Sequence, residues 1–300
     1  MITFLSGGTG TPKLIRGMRS HLPDVEIAVV VNTAEDLWIS GNHLSPDLDT
    51  LVYLFEGSLD TTSWWGIKGD TFRTHEEALR MGADEFIAIG DADRAMHITR
   101  GDLLRQGCRL TEATERICRG FGIRAQILPM TDTPVRTVVL SKGREFHFQE
   151  YWVRHRGDLP IEGVERRWDV PPVATREVIN AVCSAEAVVI GPSNPITSIL
   201  PILECAGIRE AMEGKMVISI SPFIGDAPVS GPAAALMRAR GHRPDSLSTH
   251  DLYRDISSYF IHDLRDPVDV PGSYRRDTLM TDLDASMRLS EEILSIIRGQ

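Results

Sequence analysis

Ile2-Thr3-Phe4-Leu5-Ser6-Gly7-Gly8-Thr9-Gly10-Thr11-Pro12-Lys13-Leu14 opens the chain with a short apolar strand, a glycine-rich turn and a helix start. Ile2 to Leu5 reads as the strand. Pro12 to His21 reads as the helix, since proline suits a first turn whose N–H is unpaired anyway, and Leu14, Ile15 and Met18 form an apolar stripe. Glu26 to Val31 follows as a second strand and completes a β-α-β unit. Further β-rich runs at Phe86 to Ile89, Gln126 to Leu128, Thr137 to Leu140, Ala187 to Ile190 and Met216 to Ile220 alternate with helix-like segments. That alternation is expected of an α/β fold, a mostly parallel sheet with helices on both faces. Glu145 to Val153 reads as a solvent-facing strand, and residues 143–172 read as a small β-containing insertion in a single domain spanning 1–300. Leu279 to Ile297 reads as a closing helix.

Composition narrows the function. Hydrophobic residues make up 42% and charged residues 25%, as expected of a folded protein. A formal charge of -10 argues against nucleic acid as the main ligand. The N-terminus lacks a secretion signal, and no apolar run approaches the ~20 residues that span a bilayer, so a cytoplasmic chain without a membrane partner is expected. The four cysteines form no CxxC pair, and the histidines lack an HxH or HxxxH spacing. These patterns speak against a zinc site or a disulfide framework.

Gly7-Gly8-Thr9-Gly10-Thr11, between a strand and a helix, stands where backbone N–H groups and the positive helix end cradle phosphate. It is not a Walker loop. Lys13 stands at the third glycine of GxGxxG, and the second strand ends in Asn32 instead of the acidic residue of an NAD site. A tight turn, a dinucleotide site and another phosphate ligand all remain open here. Asn32-Thr33-Ala34-Glu35-Asp36 and His43-Leu44-Ser45-Pro46-Asp47-Leu48-Asp49-Thr50 form the densest polar cluster. Ser45 as cap and Pro46 in the first turn would start a helix, while Asp47 and Asp49 offer oxygen ligands to a hard cation. Gly90-Asp91 and Gly191-Pro192-Ser193-Asn194-Pro195 each follow a strand, at the edge where open parallel sheets bind ligands. Ser221 to Gly225 is a third such loop. Trp64 and Trp65 offer either packing or stacking on a planar ring.

These stretches in order, with Leu110 to Thr114, Met130-Thr131-Asp132, Phe148 to Val153 and Met280-Thr281-Asp282, resemble the 2-phospho-L-lactate transferase (CofD) family over nearly the whole chain. The resemblance implies a Rossmann-like, homodimeric transferase of coenzyme F(420) biosynthesis, in the EC 2.7.8 class. It would use Mg2+ to move 2-phospholactate from its guanosine-diphosphate-activated form to the ribitol hydroxyl of the deazaflavin Fo (7,8-didemethyl-8-hydroxy-5-deazariboflavin). Coenzyme F(420)-0 and GMP would result, and some members use the enolpyruvyl donor. Asp49 and Asp47 would then be catalytic and hold the metal. Fo would meet Asp49, Ala88, Asp91, Asn32, His43, Ser193 and Asn194. The donor would lie on Gly7, Gly8, Thr9, Gly10, Thr11 and Lys13, with Ser221 and Gly225 near the guanine. The chain departs from the family pattern at Ala88, where a polar contact is expected, and at Asp226 and Ser230, where relatives carry Gly and Lys. The alternative is a YvcK-like regulator that binds nucleotide-sugars.

Overall fold

The computed structural model describes residues 1–229 and 231–299; Ser230 lies outside the described residues. Its centre is a seven-stranded, wholly parallel sheet. In chain order its strands are β1 (Ile2–Ser6), β2 (Ile27–Val31), β3 (Gln126–Pro129), β4 (Ala187–Ile190), β5 (Met216–Ile220), β6 (Tyr259–Asp263) and β7 (Tyr274–Arg276). In space they run β3-β2-β1-β4-β5-β6-β7, the Rossmann order with one added edge strand. Every residue of β1, β2 and β4 is buried, as strands covered on both faces require.

Alternate strand residues feed two apolar clusters. Phe4, Val29 and Val189 pack with Ile15 of α1 (Gly10–Met18) and with Leu289 and Ile293 of the C-terminal helix Leu283–Arg298. Leu5, Val30 and Ile190 pack on the other face with Val178, Ile199 and Leu236. The C-terminal helix is capped by Asp282, whose side chain accepts from Ala285 N at 2.8 Å. It lies so close to α1 that a Cβ on Gly17 would stand 2.3 Å from the Ser286 carbonyl. No helix among the described residues is long and apolar enough to cross a membrane.

Several expected elements differ. Phe86 to Ile89 is not a strand; Ile87 and Ile89 instead fill a small cluster with Ile39 and Leu44. Thr137 to Leu140 lies in a separate antiparallel sheet, where Arg136–Ser141 pairs with Arg144–His147 on one side and Gly163–Arg167 on the other. The strand expected from Glu145 to Val153 stops at His147 and gives way to a wide helical turn at Glu150–Arg154. Phe148 and Tyr151, three apart, are both buried, so the burial period changes from strand-like to helical there. This small sheet shares the main core, because Val139, Phe146 and Val164 join the cluster of Leu5 and Val30.

Candidate functional site

Strand order reverses between β1 and β4, so the loops leaving their carboxyl ends diverge and open a crevice. Each loop has a glycine where the other loop comes close. A Cβ on Gly10 would stand 1.9 Å from the Pro192 carbonyl oxygen, and one on Gly191 would stand 2.2 Å from Thr11 Oγ1. Thr11 N donates to Ser193 Oγ at 3.2 Å, and the two hydroxyls lie 2.7 Å apart. Gly8 sits at φ +60, a conformation that glycine adopts without strain.

A third segment closes the crevice. Asn32, at the end of β2, donates from Nδ2 to Asp47 Oδ2 at 2.8 Å and to the Thr197 carbonyl at 3.1 Å. Gly8 N donates to Asp47 Oδ1 at 2.7 Å. Asp47 rides on α2 (Pro46–Glu56), which starts with proline as expected. Ser45, however, is no side-chain cap; its hydroxyl donates to Asp36 Oδ1 at 2.7 Å.

The resulting cleft holds about 520 Å³. Its lining includes the polar Gly8, Thr9, Gly10, Asp47, Ser193 and Asn194 and the aromatic Trp64, Trp65, Phe148 and Trp152. Burial raises the Asp47 carboxyl to about 6, with the Asp49 charge adding to the rise and bonds from Asn32 and Gly8 opposing it. Glu35 also lines the cleft. Burial and then the Asp47 charge push it well above the usual carboxylate range, although Gln149 Nε2 donates to it at 2.9 Å. Two buried carboxylates thus face the space beside the glycine loop.

The expected site residues divide accordingly. Gly8, Thr9, Gly10, Asp47, Ala88, Ser193 and Asn194 line the cleft, while Gly7, Thr11 and Asn32 brace its wall through the contacts above and through the packing of Gly7 on Ser198. Asp49 does not line it. Two residues on a helix are about 200° apart, so Asp49 faces away from Asp47 into the interior. Its Oδ1 pairs with the fully buried Arg100, and its Oδ2 lies 2.9 Å from His97 Nε2, which also stands 3.0 Å from Asp93 Oδ1. Burial works against the Asp49 charge, but Arg100 and His97 hold its carboxyl down to about 2. Likewise, burial opposes the His97 charge, yet Asp49 and Asp93 raise it to about 9. Ligand atoms of Asp49, Asp93 and His97 lie within 4.8 Å of one another. The three form a candidate cation cluster that Arg100 also faces.

The other expected residues outside the cleft also have identifiable partners. Asp91 accepts from Arg73 N at 3.2 Å and Thr74 N at 2.9 Å, tying down the helix Arg73–Arg80. His43 lines a different cavity. Lys13 lies 5.4 Å over the Trp64 ring. Ser221 is turned inward, 2.7 Å from Ser246 Oγ, and Gly225 N donates to Asp266 Oδ1 at 3.1 Å. Asp226 is exposed, while Gly231 and Pro232 reach the cleft. Sequence reasoning placed Glu35 in its densest polar cluster and Gln149 in a family-like stretch without giving either a site role, and it passed over Thr197 and Ser198.

The 2-phospho-L-lactate transferase CofD family model matches residues 2–277. A 2-phospho-L-lactate transferase of Methanospirillum hungatei is 52% identical over 295 residues, covering 98% of this chain and 99% of its own. Another, from Methanocorpusculum labreanum, is 52% identical over 299 residues and 98% of each chain. Among solved structures, a UPF0052-family protein of Bacillus halodurans matches with a TM-score of 0.61 at 16% identity, covering 98% of each chain. That likeness concerns the fold alone.

Proposed function

The chain belongs to the 2-phospho-L-lactate transferase CofD family, and on that premise we propose that it moves 2-phospholactate from guanosine-diphospho-2-phospholactate to Fo. The products are coenzyme F(420)-0 and GMP, which is chemistry of the EC 2.7.8 class. The observation that supports this reading most is the meeting of the glycine loop, Ser193 and the Asp47 carboxylate at the switch point of the sheet.

In this reading the diphosphate lies along Gly8 to Gly10 at the positive end of α1, with Ser193 and Asn194 orienting it. The deazaflavin ring lies against Trp64, Trp65, Phe148 and Trp152, which gives it planar apolar surfaces. Its ribitol hydroxyl oxygen attacks the phosphorus of the phospholactyl group. The new P–O bond replaces the bond to the GMP phosphate, and GMP leaves with that electron pair. Asp47 accepts the hydroxyl proton; a carboxyl near 6 is mostly ionised at neutral pH and still basic enough for that transfer.

The donor set in the cleft fits a hard cation. Asp47 and Glu35 would hold Mg2+, because two buried carboxylates whose charge is disfavoured gain from a divalent neighbour. Magnesium would neutralise phosphate charge and polarise the phosphorus under attack. A cytoplasmic homodimer completes the proposal.

The direct test incubates the protein with Fo, magnesium and guanosine-diphospho-2-phospholactate and follows products by mass spectrometry. Phospholactyl-deazaflavin and GMP are expected together. Fo binding without product, followed by turnover with the enolpyruvyl donor, would move the assignment to that donor. Absence of both Fo binding and turnover, with binding of a nucleotide-sugar, would favour the regulator.

A further inference from the structure

Ser198 brings to the cleft a hydroxyl that no other group in the fold engages. It lies on the wide helical turn Pro195–Ile199, which follows the β4 loop, and it lines the cleft although only 2% of it is exposed. Helical hydroxyls elsewhere in the chain close on the carbonyl four residues back, as Thr50 does on Pro46 at 2.9 Å, Thr114 on Leu110 at 2.8 Å and Ser290 on Ser286 at 2.8 Å. For Ser198 that carbonyl belongs to Asn194. The wide turn occupies it with two N–H groups, Ser198 N at 3.1 Å and Ile199 N at 3.2 Å. Among the described residues Ser198 Oγ has no hydrogen-bond partner, and the oxygen is not sealed in the interior but reachable from the cleft.

The glycine loop shows what the hydroxyl faces. A Cβ on Gly8 would stand 3.4 Å from Ser198 Oγ, and apart from Gly8's neighbours in the chain no other described atom lies within 4 Å of that point. The space over Gly8 is therefore open except for this oxygen. A Cβ on Gly7 would meet Ser198 Cβ at 2.6 Å and Asp47 Oδ2 at 3.0 Å, so the serine and the carboxylate flank one glycine. Asp47 accepts hydrogen bonds there, from Asn32 and Gly8, whereas Ser198 has one to donate. A phosphoryl group under attack needs both: an acceptor for the proton of the incoming hydroxyl, and a donor to the phosphorus-bound oxygen on which charge gathers.

We propose that Ser198 is a catalytic residue of the transfer, its hydroxyl donating to a non-bridging oxygen of the phosphorus under attack. This inference rests on the phospholactyl transfer proposed above. The ribitol oxygen forms the new P–O bond, the bond to the GMP phosphate breaks and GMP leaves with its electron pair, Asp47 takes the ribitol proton, and Ser198 keeps its own throughout. Because the hydrogen bond strengthens as charge gathers on its acceptor, losing it falls on kcat more than on KM.

The experiment measures transfer to Fo by the parent and by Ser198→Ala, each with the all-oxygen donor and with both phosphorus configurations of a donor carrying sulfur in place of one non-bridging oxygen on the transferred phosphorus. Ser198→Ala is expected to lose about 10²-fold in kcat, the scale of one oxyanion donor, with KM for Fo within about twofold of the parent and an unchanged melting temperature. Sulfur accepts hydrogen bonds weakly, so in the parent the configuration that turns sulfur toward Ser198 should be slowed at least ~10-fold. In Ser198→Ala that penalty should shrink to about threefold or less for the same configuration. A variant with kcat within about twofold of the parent would overturn the proposal. So would a slowed variant whose sulfur penalties match those of the parent in both configurations, since the serine would then only shape the loop. A parent that makes no phospholactyl-deazaflavin from any donor would overturn the reading of the reaction itself, and this inference would fall with it.

Discussion

Gly8 N–H donates to Asp47 Oδ1 at 2.7 Å across thirty-nine positions of sequence, so the loop that should receive an anion already faces one. The bond fixes the glycine turn against the start of α2. It also sets an electrostatic condition, because a diphosphate entering beside Asp47 and Glu35 meets two buried carboxylates in a medium that screens weakly. Either protons or a divalent cation must accompany it.

The acid limb of activity should report Asp47. Asp47→Asn is expected to remain folded and to lose at least ~10²-fold in turnover, the usual scale for a positioned base. In the parent, kcat/KM should fall on the acid side as Asp47 takes up a proton, and because its carboxyl is raised to about 6 only without the cation, that limb should move to lower pH as magnesium is increased. The residual activity of the variant should lack that limb. Stability moves the other way. A carboxyl raised from 3.8 to about 6 on folding contributes stability that is fully present below 3.8 and lost as pH rises through about 6. The unfolding free energy of the parent minus that of the variant should therefore decline between about pH 4 and 6 and then level off. A flat difference would remove the raised carboxyl.

Magnesium should stabilise the protein in a way that depends on the same two residues. At pH 7 the ion is expected to raise the melting temperature through binding to the folded state. At pH 5, with Asp47 largely protonated, the rise should shrink. Asp47→Asn combined with Glu35→Gln should abolish it, and EDTA should stop transfer until magnesium is restored. An equal thermal shift in the double variant would move the metal elsewhere.

Arg100 and Asp49 are predicted to matter for stability before they matter for chemistry. Arg100→Met would leave Asp49 buried without its strongest partner, and breaking a buried pair from one side costs about 3–5 kcal/mol. Denaturant unfolding should register that loss. The Asp47 acid limb should survive in whatever fraction stays folded, since α2 turns Asp49 away from the cleft. A fully stable Arg100→Met with abolished turnover would return Asp49 to the catalytic site.

How much of this was legible follows from what each segment had to satisfy. The first β-α-β unit was readable because both strands are buried on both faces and the turn between them needs glycine where backbones meet. Strands β6 and β7 were hidden, since His262, Asp263, Arg275 and Arg276 interrupt their apolar runs. Local partners meet the Asp and Arg groups, as when Arg265 Nε donates to Asp263 Oδ1 at 2.6 Å. Asp47 and Asp49 look equivalent in sequence, and only the helix phase separates the cleft carboxylate from the buried one. The polar pocket wall at Glu35 and Gln149 joins residues 114 positions apart, a pairing that no local pattern announces.

The last prediction isolates the contact that makes the switch point. Gly10 and Gly120 are both helical and neither has a positive φ, so replacing either with alanine tests only the space around the new methyl. Nothing lies within 4 Å of a Cβ at Gly120, whereas one at Gly10 would lie 1.9 Å from the Pro192 oxygen and 2.7 Å from its carbonyl carbon. Backbone cannot rotate away as a side chain can, so the β1 and β4 loops must separate. Gly120→Ala should be neutral or stabilising by up to about 1 kcal/mol, because alanine has less freedom to lose in a helix. Gly10→Ala should cost about 1–3 kcal/mol, the range for overpacking a close-fitted site, and should weaken diphosphate binding measured by calorimetry. Loop separation would also break the Thr11 N to Ser193 Oγ bond, so the two losses should appear together. If Gly10→Ala matched Gly120→Ala in both stability and diphosphate affinity, the contact between the loops would not be what shapes the phosphate site.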